Sequence, residues 1–537
     1  GFMLETGKLG WYDQESASKL DYLISIAESR KVYLIPCLNQ TGLALFDGWP
    51  SNKYNQANGG PCGSVVDYFS NPEALRLIKN RTRYTVARWG YSTAILGWEI
   101  FNEVNYTPGY MNDFPRVLEF HRQMTACLRQ YDPGHHLITT SFGGLPENSG
   151  QIWRLKDIDF TISHVYSNDM ANIVGHQAIM RQYRKPNLGG EAGVPANEQT
   201  TASLKDPNGI AFHNILWSSM IAKCAGNILH WWPFEYFEPL DLGREFPPLV
   251  KFVADIDWPR HGFEPRQLTA MSKASHSGPV DCVLPFDCAW GGSRSPIFLL
   301  KDNGIWGVMD ASAVKVNYIA DADLSFKLTA LPGILFGAAQ PEWRQPFKLR
   351  LTTRNATTAG LRFQAVAASG TTLKVAVNGK PVATLAVKDA DTRDNPYAAE
   401  LTQGVEIPLE KGENLVEVVN LGPGWLSMKD LTIRNFSPPG MVENLRCFAL
   451  VGKGMSILWL QNSLSTWYQN SQGVKLHPFE NVEIAVPAAD GGQFQVEWWN
   501  TWTGEIIRSD RAVASEGRLW VSPPPFERDI AAKIRKR

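Results

Sequence analysis

Ala94-Ile-Leu-Gly-Trp-Glu-Ile-Phe-Asn-Glu-Val104 is the stretch that decides the fold. It is almost wholly apolar up to Phe101 and then ends in Asn102-Glu103. A strand that is apolar on both faces must be covered on both, which is the habit of parallel sheets flanked by helices. Working outward, 31–38 (KVYLIPCL), 136–141 (HLITTS), 158–164 (IDFTISH), 187–191 (NLGGE) and 226–232 (GNILHWW) read as further strands. Helical patterns lie between most of them. Asp13 caps a helix carrying Leu20, Leu23, Ile24 and Ala27, and Asn71-Pro72 opens another carrying Leu75, Ile78, Val86 and Trp89. Helices are also expected near 113–130, 170–183 and 209–224. This is an α/β pattern with six strands, whereas a closed (β/α)8 barrel needs eight.

From about residue 280 the pattern becomes all-β. Thr372-Leu-Lys-Val-Ala-Val377 alternates and runs into Asn378-Gly379, a hairpin signal, and 405–409, 414–419 and 431–434 continue it. Ser437-Pro-Pro-Gly440 reads as a linker, and 441–537 holds further strands. The expected organisation is a barrel-like domain over 1–265, a β-sandwich over 280–437 and a C-terminal β-sandwich over 441–537.

The 537 residues carry 52 Lys and Arg against 53 Asp and Glu, so no basic surface points to nucleic acid or to an anionic membrane. No apolar run approaches the roughly 20 residues of a membrane-spanning helix. Seven cysteines without a Cys-x-x-Cys or a zinc-spaced Cys/His cluster imply no structural metal; only Cys282 and Cys288 are close enough for a local bridge. Neither a helix-opening Gly-x-Gly-x-x-Gly nor a phosphate-loop Gly-Lys-Ser/Thr is present, so no nucleotide cofactor is expected. A Gly-x-Ser-x-Gly elbow is also missing. The aromatic count is high, 19 Trp, 16 Tyr and 25 Phe, which fits either large β cores or surfaces that stack on sugar rings.

The chemistry concentrates in two carboxylates. Glu103 stands at the C-terminal end of a buried parallel strand, where barrel active sites form. Partial desolvation there favours the protonated acid. Glu191 ends another short strand, flanked by glycines in Gly189-Gly-Glu-Ala-Gly193, so backbone or ligand can approach it closely. Two carboxyl groups on facing strand ends are what glycosidic cleavage needs: one protonates the leaving oxygen, the other attacks the anomeric carbon or activates water.

Trp98-Glu-Ile-Phe-Asn-Glu103 resembles the strand-4 signature of clan A glycoside hydrolases, and the run from Arg83 to Glu99 resembles cellulase-like members of glycoside hydrolase family 5. The resemblance implies a TIM barrel followed by β-domains and a retaining mechanism. It makes Glu103 the acid/base and Glu191 the strand-7 nucleophile. Asn102 would hold the sugar 2-hydroxyl, which requires the strand to twist or bulge, because strict alternation puts Asn102 and Glu103 on opposite faces. His164-Val-Tyr166 matches the strand-6 His-x-Tyr, with Tyr166 orienting the nucleophile. Trp231-Trp232 falls where the strand-8 Trp floors the subsite of the cleaved sugar.

Aligned in this way, 31–38 is the third barrel strand. Strands 1 and 2, with the strand-2 Arg, have no counterpart. An upstream segment or second chain supplying them, or a homo-oligomer, is therefore the expected partner besides the carbohydrate substrate. The chain opens Gly-Phe-Met-Leu-Glu without a signal peptide; a polysaccharide-degrading role implies a secreted or periplasmic location.

Other aromatic and polar groups have two readings. Trp49, with Tyr54 and Asn55 in the 39–64 loop, is a sugar-stacking platform or loop packing. Asn39 and Gln40 line the cleft or form a polar turn. His213 is expected to be structural, and Glu235 and Glu238 lie near the rim. Glu497-Trp-Trp-Asn-Thr-Trp502 and Trp425 are core or carbohydrate-binding aromatics. A non-catalytic carbohydrate-binding or scaffold protein, derived from a glycosidase barrel, is the rival to an enzyme.

Overall fold

The computed structural model describes residue 5 and residues 8–537, apart from 42–47, 145–147, 227–229, 274–279, 288–296, 301–305, 310–315, 318–330, 342, 391–393, 397–400, 438–441, 443 and 489–490. The chain divides into two compact units. Gly1–His164 with Met180–Gly190 make the first, and Val165–Ile179 with Glu191–Arg537 the second.

In the first unit, helix α1 (Gln14–Arg30) starts where the Asp13 carboxylate accepts the N–H groups of Glu15 and Ser16. It ends at Lys31, which is left-handed and returns its N–H to Ala27 and Glu28. The following residues run beside 94–102, with parallel bridges Leu34 to Ile95, Cys37 to Glu99 and Gln40 to Asn102. Pro36 lacks an N–H, so this ladder is a set of bridges rather than a regular strand. Helix α2 (Pro72–Trp89) is capped by Asn71 and has Pro72 at its first position.

Strand β1 (Gly97–Glu99) pairs in parallel with β2 (Leu137–Thr139). Any side chain at Gly97 would stand 2.5 Å from the Leu137 carbonyl. Strand β3 (Ser141–Gly143) is parallel to β4 (Thr161–Tyr166), and β4 lies beside β5 (Asn187–Gly193). Helix α3 (Phe114–Tyr131) and α2 bury Ile78, Val86, Phe120 and Met124 with Trp98, Ile100 and Phe101. This is the α/β layering that the apolar strands demand.

The second unit holds helix α4 (Ile173–Met180, up to Ile179), helix α5 (Ile210–Ile221) and the β-rich remainder. The expected strand at 226–232 is described only in part, and its His230 forms a parallel bridge with Ala192. Helix α5 is buried on every side. Its Ile215, Leu216 and Trp217 share one core with Phe448, Ile457 and Trp459 of the strands Leu445–Gly452 and Met455–Asn462. That second strand is buried at all its positions, because its other face packs on Val482, Ile484 and Leu519. The sheet containing it takes Glu264–Leu268 as an edge strand.

Between these elements, the described strands of 280–437 form two sheets, mostly antiparallel, around a core that includes Leu284, Leu349, Leu361, Val375 and Leu431. The hairpin at Asn378-Gly379 forms as expected, with both residues left-handed (φ 51° and 78°). Cys282 is buried, and Cys288 lies outside the described residues. Among the described residues no helix is long and apolar enough to cross a membrane.

Candidate active site

Glu103 is placed by its backbone. The chain leaves β1 with the Asn102 N–H on the Asn39 carbonyl, and Glu103 then turns left-handed at φ 48°, ψ 45°. For a residue with a Cβ that conformation costs about 1–2 kcal/mol. Two hydroxyls stabilise it. Ser141 Oγ accepts the Glu103 N–H at 3.1 Å and lies 3.4 Å from Asn102 Nδ2. Thr41 Oγ1 lies 2.5 and 2.7 Å from the carbonyls of Asn102 and Glu103. The left-handed residue ends the strict alternation that would put Asn102 and Glu103 on opposite faces.

The Glu103 side chain is partly exposed, and its Oε1 lies 2.8 Å from Nδ1 of buried His164. With a neutral ring, the Nδ1–H donates to the carboxylate and fixes its orientation. Gly190 makes room for this ring: a Cβ there would lie 2.4 Å from Ile162 Cγ2 and 2.8 Å from His164 Nε2.

In the second unit, Glu191 is 7% exposed, and the Tyr166 hydroxyl donates to its Oε2 at 2.6 Å. The frame around this pair is a ladder. Ser167 N–H reaches the Gly193 carbonyl at 3.1 Å, and Trp231 N–H reaches the Ala192 carbonyl at 3.0 Å. Trp232 is buried with its indole N–H on the Val194 carbonyl at 2.9 Å, and its ring stands 5.7 Å from that of Tyr166. Gly193 is again the residue that permits contact, since a Cβ would lie 3.1 Å from Trp232 Nε1. Trp231, by contrast, is 46% exposed.

The aromatic and polar candidates separate accordingly. Trp98 is fully buried with its N–H on Asp132, so it belongs to the core. Trp49 packs against the core of the first unit, and its carbonyl accepts from Asn55 Nδ2 at 3.0 Å. Asn39 is a buried staple: Nδ2 donates to the Ile100 carbonyl, and Oδ1 accepts from Tyr68 and Arg81.

Further along the chain, His213 is buried between Glu245 and Asp529 and stacks on Trp502 at 3.8 Å, the structural role expected of it. Glu235 accepts from Gln199 at 2.5 Å. Trp498 and Trp425 are buried in cores. Ser141 and Thr41 went unrecognised in the sequence. The only sign of them was a hydroxyl at the end of the strand HLITTS and another just after 31–38, and hydroxyls are common at strand ends.

No established family profile matches the chain. It is similar to mannan endo-1,4-beta-mannosidase F of Aspergillus fumigatus, 26% identical over 215 residues, which is 35% of this chain and 47% of that protein. A probable mannan endo-1,4-beta-mannosidase A of Aspergillus flavus is 25% identical over 210 residues, 34% of this chain and 51% of that one. The chain thus spans about half the length of the curated relatives it matches. Among solved structures, the cold-adapted β-galactosidase of Rahnella sp. R3 aligns over 99% of this chain and 92% of its own at 10% identity, with a TM-score of 0.41.

Proposed function

We propose that this chain is a retaining β-glycoside hydrolase, with Glu191 as nucleophile and Glu103 as acid/base. One observation carries the reading: each carboxylate has its own orienting partner, His164 for Glu103 and Tyr166 for Glu191. These partners are alternate residues of the single strand β4, and alternate strand residues share a face.

In the first step Glu191 attacks the anomeric carbon while Glu103 protonates the departing oxygen. In the second, Glu103 takes a proton from water, which releases the sugar with net retention. The reading requires the carboxyl groups to stand about 5–5.5 Å apart. Asn102 beside Glu103 holds the sugar 2-hydroxyl, and exposed Trp231 with its neighbour Trp232 floors the subsite of the cleaved sugar. Trp49 is a further sugar-stacking platform. Similarity to the two Aspergillus mannosidases makes β-1,4-linked mannan the first substrate to test. A polysaccharide substrate favours a secreted or periplasmic location.

The fold we assign is a (β/α)8 barrel from its third strand onward, over 1–265, followed by β-sandwich domains over 280–437 and 441–537. The succession of neighbours from 32–40 through β1 to β5 and on to His230 supports it. Among the described residues the ladder bonds of 32–40 run to 94–102, while Val32 and Tyr33 are 51% and 68% exposed. That exposed apolar edge also favours the second reading, a carbohydrate-binding scaffold that no longer cleaves.

Incubation with mannan, β-glucan and aryl β-glycosides, with anomer analysis by NMR, separates the two. Retention, lost in Glu191→Gln with sugar binding intact, is the expected result. Binding without cleavage by any assembly of the chain would overturn the enzyme assignment.

A further inference from the structure

We propose that Arg446 and Trp467, in the last hundred residues, are positioning residues for the Tyr166–Glu191 pair; this rests on Glu191 being the nucleophile. The segment that follows Tyr166 is where they act. Ser167 has both its backbone groups fixed. Its N–H donates to the carbonyl of Gly193, two residues beyond Glu191, and its carbonyl accepts the Trp467 indole N–H at 3.0 Å. Trp467 is buried and lies 300 positions away in sequence.

The turn itself is wound on the Ser167 hydroxyl, which donates to the Asp169 carbonyl at 2.9 Å and accepts from Asp169 N–H and Asn172 Nδ2, both at 3.0 Å. Asp169 then uses one carboxylate oxygen to cap Ala171 N–H and the other to meet Arg446 Nη2 at 2.6 Å, both side chains being nearly buried. Arg446 is held in turn by Gln461 Oε1 at 3.1 Å, and Gln461 by the Ser465 carbonyl.

Two ties from the C-terminal β-region thus converge on the three residues after Tyr166. A phenol 2.6 Å from a carboxylate sets where that carboxylate points, and the phenol is only as well placed as the backbone beneath it. Misplacement on the scale of 1 Å costs about a hundredfold in rate. On this account the last hundred residues are part of the catalytic frame and not a detachable sugar-binding module.

The test uses the full chain in whatever assembly cleaves substrate. Trp467→Phe deletes the N–H donor together with the pyrrole part of the indole; Arg446→Lys keeps the charge and Arg446→Met removes it. Each is assayed for kcat and KM on a dinitrophenyl β-glycoside, which needs no acid assistance, for labelling by a 2-deoxy-2-fluoro glycoside, and for melting temperature. We expect Trp467→Phe and Arg446→Met to label Glu191 and turn over about ten- to a hundredfold more slowly. KM should stay near the parent value in Trp467→Phe, whose melting temperature falls with the lost packing while the protein stays folded at the assay temperature, and Arg446→Lys should recover part of the loss. Parent-like rates in Trp467→Phe, or losses that only track the folded fraction, overturn the positioning role. A parent protein that cleaves substrate but labels elsewhere than Glu191 overturns the nucleophile assignment instead.

Discussion

The phenolic hydroxyl of Tyr166 donates a 2.6 Å hydrogen bond to Oε2 of Glu191, a carboxylate almost withdrawn from solvent. A hydrogen bond to a charged group is worth about 1.5–3 kcal/mol. Tyr166→Phe is therefore expected to slow formation of the glycosyl-enzyme about ten- to a hundredfold, with the fold unchanged. Pre-steady-state release of dinitrophenol measures that step directly.

Gly190→Ala places a methyl group 2.4 Å from Ile162 and 2.8 Å from the His164 ring. The ring must move, which disturbs its hydrogen bond to Glu103, and overpacking of this kind costs about 1–3 kcal/mol of stability. Because Glu103 serves as the acid, cleavage of poor leaving groups should fall more than cleavage of dinitrophenyl glycosides. Equal loss on both substrates would show that His164 does not act through Glu103.

Ser141→Ala removes the acceptor of the Glu103 N–H at a left-handed residue. The expected cost is about 1 kcal/mol in stability by denaturant titration. Relaxation of Glu103 toward an extended backbone should lower kcat as well. Glu103→Gly, which accepts the conformation without strain, should stabilise the fold and abolish acid catalysis.

His213 gives the second unit a pH signature. Burial opposes its charge, but Asp529 and Glu245 outweigh burial and raise its pKa to about 9. The folded state therefore binds this proton more tightly than the unfolded chain, whose imidazole titrates near its ordinary value of about 6.5. The resulting stability is fully present below about 6.5 and is lost as pH rises through about 9. The melting temperature should fall over that interval, and the fall should vanish in His213→Gln, which is less stable throughout. A pH-independent melting temperature between 6.5 and 9 would contradict the ion pairing.

Much of this was legible locally. The caps Asp13 and Asn71, the left-handed turn at Asn378-Gly379 and the limits of α3 and α5 follow from signals within a few residues of the element they shape. Glu103 and Glu191 could be singled out because each closes a short strand pattern in the sequence, although β5 runs on to Gly193 and Glu191 lies inside it. Trp98 could not be told from Trp231 by composition: one indole is core and the other exposed, because their neighbours in space differ.

By itself, then, the sequence determined the succession of strands and helices and singled out the two carboxylates, since apolar periodicity and capping act over one or two turns of chain. Only the tertiary structure decided that Glu103 is left-handed, that His164 and Tyr166 take one carboxylate each, and that Ser167 answers to Trp467. Those contacts join residues 25 to 300 positions apart. No short-range pattern encodes such partners; they meet because burial leaves each polar group the choice of a partner or a desolvation cost.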